Sequence, residues 1–263
     1  MASSSQVKRI LVFGTTGTGK STLVNNIAPG VNLKTSNCAK GVTLESTLVR
    51  RRHNNNNYHI IDTAGLNEDE SGSVPPEKAV SNLLKLLKST EEGLNLMIMV
   101  TRGRIVKTTT SNYRFFVDTV TSNKVPVIIV QTHLDDEYLT QWGVENKKYF
   151  TGTGLKTKTI VGTTFPRFNP KREATSAWAD ATCEESTGRV WAAIESFASL
   201  TPVNYFDNAG FFATFRRIWN AMAKMLSPKL VWVTNHTLSI IQNMMGCNRN
   251  EAKTIAQNFE MSN

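Results

Sequence analysis

The sequence predicts a three-layer α/β/α sandwich on a mainly parallel sheet with one antiparallel strand, extended at the C-terminus by helices. Three observations carry this prediction. Apolar strand-type runs alternate with helical stripes from residue 8 to residue 200, which calls for crossover helices on both faces of a parallel sheet. The first of these runs, Lys8–Phe13, leads into Gly14, Thr15, Thr16, Gly17, Thr18, Gly19, Lys20 and Ser21, the pattern G-x-x-x-x-G-K-[ST] set between a strand and a helix. Finally, two strand-type runs flank the tract Asn54, Asn55, Asn56, Asn57. Asparagine tolerates positive φ, so the tract reads as a hairpin turn that adds an antiparallel strand.

Taken in order, Lys8–Phe13 is a buried-type strand and Lys20–Ile27 a helix that Pro29 and Gly30 end. Residues 31–46 are rich in Ser, Thr, Asn and Gly and read as a connection beside a ligand. Strands are expected over 46–52 and 58–61, and the stretch after Asp62 to Pro76 is turn-rich. Val80, Leu83, Leu84 and Leu87 mark a helix over 77–87. Two further strand–helix units follow, with strands at 94–100 and 125–130 and helices at 109–121 and 135–147, and 159–163 reads as the last strand. Residues 166–182 read as a basic surface loop and 184–200 as the closing helix. Phe211, Phe212, Phe215, Ile218, Trp219, Met222, Met225 and Leu226 then line one face of an amphipathic helix over 211–226, and shorter helices are expected over 238–245 and 250–259. The expected organisation is a flexible N-terminus at 1–7, a nucleotide-binding domain at 8–202 and a helical extension at 203–263.

Composition narrows the setting. The first six residues are small and polar, so no secretory leader is expected, and no apolar stretch reaches membrane-spanning length. Cys38, Cys183 and Cys247 lie far apart in no ligand spacing, which argues against a disulfide framework or a zinc site and for a reducing, cytoplasmic setting. The net charge of +9 permits membrane surfaces, nucleic acid or acidic partners without choosing among them, and no specific nucleic-acid binding is predicted. Arg50, Arg51 and Arg52 read as a solvated strand edge that resists aggregation, with a dedicated anion site as the alternative.

The motifs at the strand ends carry the chemistry. A triphosphate needs close approach by many backbone N–H groups, which Gly14, Gly17 and Gly19 permit around Thr15, Thr16 and Thr18, while the helix beginning at Lys20, Ser21 and Thr22 presents its positive end. Lys20 is assigned to the β- and γ-phosphates and the Ser21 hydroxyl to Mg²⁺. Asp62, Thr63, Ala64 and Gly65 follow a strand, where the Asp62 carboxylate suits Mg²⁺ and the Gly65 N–H the γ-phosphate; the plain alternative for Asp62 is a turn cap. Thr43 is assigned to the Mg²⁺ shell, with Thr35 and Thr47 as rivals. Thr132, His133, Leu134 and Asp135 follow another strand in the manner of an [NT]-K-x-D element, whose carboxylate accepts from guanine N1 and N2; Asp136 and a simple helix cap are the alternatives. Gly162 and Thr163 are candidates to offer N–H groups to guanine O6.

Together GTGKSTLVN, Val42-Thr43, DTAGL, Gly103-Arg104 and THLD resemble the GTPase of immunity-associated protein (GIMAP) family and its relatives, septins and chloroplast import receptors, over roughly residues 8–200. The resemblance implies a P-loop NTPase fold binding GTP or GDP with Mg²⁺, dimerisation across the bound nucleotides, and C-terminal helices that pack near the switch region or reach a membrane. Three positions depart from it: Ala64 in place of proline, Ser46 in place of cysteine, and His133. Leu66 stands where Ras-type proteins carry a water-orienting glutamine, so slow hydrolysis is expected, with Arg104 or Arg102 as the group supplied by a second subunit. The leading expectation is a guanine-nucleotide switch with slow GTP hydrolysis that forms homodimers or higher assemblies. A GTP-binding scaffold that hardly hydrolyses and an ATP-dependent enzyme are the alternatives. For 211–226, burial against the main domain is the default, with peripheral membrane contact or a dimer seam as the other outcomes.

Overall fold

The computed structural model describes residues 7–31, 33, 47–63, 76–134, 141–166, 176–208 and 210–226, with Gln242 and Asn250. Six strands form one sheet: β1 (Lys8–Phe13), β2 (Thr47–His53), β3 (Asn56–Asp62), β4 (Leu96–Arg102), β5 (Val127–Thr132) and β6 (Ile160–Gly162), in the order β2-β3-β1-β4-β5-β6. All neighbours are parallel except β2 and β3. That hairpin turns through Asn54 and Asn55, whose φ values of 43° and 61° are those two positive-φ turn residues adopt.

Alternation along the strands divides the core into two. Ile10, Val12, Tyr58, Ile60, Ile98 and Val130 pack on one face with α1 (Lys20–Ile27) and α5 (Ser176–Phe197). Leu11, Phe13, Met97, Met99 and Ile129 pack on the other with α2 (Pro76–Ser89), α3 (Lys107–Tyr113) and α4 (Trp142–Gly152). The chain of α3 runs on as a π-helical segment, Arg114–Val120. Strand β1 sits between β3 and β4, so the strands that follow it are laid first on one side of it and then on the other; the crevice beyond its carboxyl end is the position where parallel α/β sheets bind ligands.

The last described helix, α6 (Phe211–Leu226), lies on the second face, with Phe215 and Ile218 fully buried beside Leu83, Leu87 and Phe116. Burial of each such side chain contributes about 1.5–3 kcal/mol, so these two apolar residues meet protein and not lipid. Among the described residues no helix is long and apolar enough to cross a membrane.

Several boundaries differ from the sequence expectation. The helix expected at 184–200 starts at Ser176 and ends at Phe197, so residues 176–182 are helical and not loop. The helix after β5 occupies Trp142–Gly152, because Phe150 and Trp142 supply the apolar contacts to the second core. Leu94 is not part of β4; it forms an antiparallel bridge with Val203 that draws residues after α5 back onto the sheet. The short helices expected at 238–245 and 250–259 lie outside the described residues apart from Gln242 and Asn250.

Candidate functional site

The carboxyl ends of β1, β3 and β5 bring the phosphate-binding loop, Asp62 and the Thr132-His133 pair together. The loop wraps where only glycine fits: at Gly14, φ is 148° and a Cβ would lie 2.2 Å from the Val100 carbonyl oxygen. Gly19 caps α1 in the left-handed region, with φ 94° and ψ 20°, which turns the first N–H groups of the helix toward the loop. Thr18 closes the bend with its hydroxyl on the Thr15 carbonyl at 2.8 Å, while Thr16 and Gly17 stand exposed at the tip. Thr22 lies half-buried on the first turn of α1, its carbonyl accepting from the Asn26 side-chain amide at 2.8 Å.

Lys20 is 8% exposed, and its ammonium donates to the carbonyls of Gly14 at 2.8 Å and Thr15 at 3.0 Å. The charge is thereby held inside the curl of the loop. The Ser21 hydroxyl donates to Asp62 Oδ2 at 2.9 Å, which makes a hydroxyl–carboxylate pair at the end of β3, and Asp62 is 1% exposed. Hard oxygen donors of this kind fit a Mg²⁺ ion that keeps part of its water shell. Thr63 anchors the same corner, with its N–H and hydroxyl both on the Val12 carbonyl at 3.0 and 2.9 Å. Thr47 lies directly opposite Asp62 in the β2–β3 register.

The end of β5 is fastened to the loop. Thr132, 2% exposed, donates its hydroxyl to the Thr18 carbonyl at 2.7 Å, with the Thr101 carbonyl at 3.2 Å. Its oxygen lies 3.0 Å from His133 Nδ1; since the hydroxyl proton already points at a carbonyl, the imidazole donates and carries its proton on Nδ1. His133 has φ 60°, a left-handed conformation that costs about 1–3 kcal/mol and concentrates at functional positions. Sequence reasoning named Thr132 within the T-H-L-D element but not the bond by which its hydroxyl ties β5 to the phosphate loop. It missed Gln131, whose side chain accepts from the Thr101 hydroxyl at 2.6 Å and donates to the Gly103 carbonyl at 3.0 Å, fixing the turn after β4. No local sequence signal marks that residue, since its partners lie on another strand.

Thr163 gives both its N–H and its hydroxyl to the Gln131 carbonyl, at 2.8 and 3.0 Å, and its own carbonyl accepts from Leu134 N–H at 3.3 Å. Its N–H is therefore engaged in the sheet and not presented to a base. Gly162, the last residue of β6, is paired in register with Gln131. Arg102 and Arg104 both stand exposed at the end of β4. Thr43, Gly65 and Asp135, with Thr35, Leu66 and Asp136, lie outside the described residues.

Comparisons with known proteins agree on this architecture. The chain matches the AIG1 family over residues 8–150. It is 36% identical over 100 residues to GTPase Der of Buchnera aphidicola subsp. Schizaphis graminum, a match covering 38% of this chain and 21% of that protein. It is 33% identical over 107 residues to Immune-associated nucleotide-binding protein 10 of Arabidopsis thaliana, covering 40% and 22% respectively. The matched segment thus spans about a fifth of each relative's length. Among solved structures, Era of Aquifex aeolicus bound to GDP·AlF4⁻ superposes with a TM-score of 0.53 at 17% identity, covering 75% of this chain and 60% of that one. Era in complex with MgGDPNP and a segment of 16S ribosomal RNA gives 0.51 at 16% identity, covering 77% and 60%. These two share the fold.

Proposed function

Because the chain belongs to the AIG1 family, we propose that it is a guanine-nucleotide switch that binds GTP or GDP with Mg²⁺, hydrolyses GTP slowly and dimerises in the triphosphate state. The observation that supports this most directly is the meeting of the buried Lys20 ammonium with the Ser21–Asp62 pair at the carboxyl ends of β1 and β3. Lys20, the N–H groups of the glycine-rich loop and the positive end of α1 supply the attraction for a phosphate chain. Ser21 and Asp62 would hold Mg²⁺, with Thr43 completing the shell; the ion, when bound, offsets phosphate charge. The curated relatives are a GTPase and a nucleotide-binding protein by name, and Era is solved with guanine nucleotides.

Asp135 is the residue proposed to choose the base. It lies three residues after Thr132, whose hydroxyl is bound to the Thr18 carbonyl of the phosphate loop. Asp135→Asn should weaken GTP at least tenfold and favour xanthosine triphosphate, because an amide cannot accept both guanine N–H groups but matches the xanthine edge. Competition binding with both nucleotides and ATP reads this out. An ATP-selective protein unmoved by the substitution would overturn the reading.

Leu66 offers nothing to orient a water molecule, so hydrolysis by a single chain should be slow. Arg104, or Arg102 near it, both exposed, is the group proposed to act on the nucleotide of a second subunit. Single-turnover GTP hydrolysis measured across a protein dilution series should rise with concentration, and Arg104→Ala should flatten that rise. A fast rate independent of dilution would sink the dimer mechanism and leave nucleotide binding intact.

A further inference from the structure

Among the described residues strand β2 ends the sheet, with β3 as its neighbour on one side alone. Its sequence places Arg50, Arg51 and Arg52 in a row. Side chains alternate along a strand, so Leu48, Arg50 and Arg52 share one face, with same-face neighbours about 6.8 Å apart, and Arg51 takes the other. Arg50 and Arg52 are exposed, and Leu48 is 39% exposed. Arg51 is half-buried, and its Nε is buried without a hydrogen-bond partner. Arg52 has a long contact of 3.5 Å with Asn55 Oδ1.

Basic residue types continue inward from this edge. His59 lies opposite Arg50 and Arg9 opposite His59 in the register, so the three side chains share a face. Burial lowers the His59 pKa, and Arg9 and Arg50 lower it further. Arg9 is ion-paired with Glu92, whereas no carboxylate among the described residues is paired with Arg50 or Arg52.

We propose that the outer edge of β2 is a docking site for an extended acidic segment of a partner protein, added to the sheet as a further strand. The main chain of an edge strand offers N–H and C=O groups in alternation, a pattern that another peptide backbone complements and a polyanion does not. Guanidinium groups at Arg50 and Arg52 match carboxylates at alternate positions of such a strand, and Leu48 offers an apolar contact on the same face. A second copy of this chain is a poor occupant, because pairing β2 with β2 sets arginine against arginine. The same charges that guard the edge against self-association thus select an acidic strand.

The test uses the full chain and a fluorescent, N-acetylated octapeptide alternating Glu and Val. Anisotropy should show saturable binding, and hydrogen exchange should show new protection across residues 47–53. The double variant Arg50→Glu/Arg52→Glu should bind at least about tenfold more weakly while keeping wild-type GTP affinity, which confirms its fold and separates this site from the nucleotide site. The peptide N-methylated at alternate residues should also lose about tenfold or more, since its backbone cannot pair. Absent binding, or equal binding of the N-methylated peptide, overturns the proposal. So does equal affinity, with the same sensitivity to the double variant, for poly-Glu, for vesicles containing phosphatidylserine or for an oligouridine RNA, each of which would mark a general anion patch.

Discussion

The two ends of the parallel strands bury polar groups to the same depth and connect them differently. At the carboxyl ends Lys20 and Asp62 are 8% and 1% exposed, and Lys20 is held by carbonyls of a loop whose glycines at 14, 17 and 19 all have positive φ. At the amino ends Asn95 is fully buried and every polar group it has is matched. Its Oδ1 accepts from Arg9 N–H at 2.7 Å, its amide donates to the Ser199 carbonyl at 2.8 Å, and its backbone pairs with Arg9 and Ser199. A buried ammonium carries a full charge to which an anionic phosphate adds a charge-assisted bond, whereas a neutral amide with complete partners has nothing to gain from a ligand. Burial alone therefore does not distinguish a site from a staple; the charge of the buried group does.

Substitution at the two ends should separate affinity from stability. Lys20→Ala should produce the largest effect, about a thousandfold loss of GTP affinity, since it removes the charge-assisted contact to the phosphates. Its melting temperature without nucleotide should shift by only a few degrees, because the Gly14 and Thr15 carbonyls it holds lie in the loop just before its own helix. Isothermal titration and thermal unfolding measure the two quantities. A collapse in stability would show that Lys20 is a staple like Asn95, and the contrast would fail.

Asn95→Ala should show the opposite profile. It strands the Arg9 N–H and the Ser199 carbonyl, and the expected loss is about 2–4 kcal/mol of unfolding free energy. GTP affinity of the folded fraction should stay within about twofold of wild type, because the substituted position lies at the far end of the strands. Urea unfolding followed by nucleotide titration checks both. A large fall in affinity at unchanged stability would mean that the amino ends communicate with the site.

The sequence revealed one of these ends and concealed the other for a physical reason. The glycine spacing, Lys20 and Ser21 lie within eight residues, so their chemistry is local, and the Asn54-Asn55 turn is equally local. Asn95 meets partners 86 and 104 residues away, which only the strand order brings close. Distance in sequence also hid the hydroxyl of Thr132 on Thr18 and the use of Thr163 N–H within the sheet. The start of α5 was obscured because the prolines and bases of 166–172 look like loop, while the burial of Ala179 and Thr182 depends on the folded chain. The π-helical segment in 114–120 has no sequence signature to read.

Tyr205 offers the smallest effect, and it extends the staple principle to a titratable group. The side chain is fully buried and its hydroxyl bonds to Thr90 Oγ1; as Thr90 donates to the Leu86 carbonyl at 2.8 Å, the phenol is the donor. Tyr205→Phe should cost about 1 kcal/mol at pH 8, the worth of one such hydrogen bond. Burial raises the Tyr205 pKa above its ordinary value of 10.0, against smaller lowering effects of Thr90 and Arg217. In the unfolded chain the phenol ionises near that ordinary value while in the fold it stays neutral, so its contribution is fully present below pH about 10 and is lost as pH rises beyond. Phenylalanine cannot ionise, and the variant should lose less stability than wild type between pH 8 and pH 10.5. The gap between the two proteins should narrow over that interval, in urea midpoints taken at each pH. Tyr58 and Tyr113, also raised by burial, remain in both proteins and cancel in the comparison. A gap that stays constant would assign the alkaline loss to those residues and leave Tyr205 a purely neutral contact.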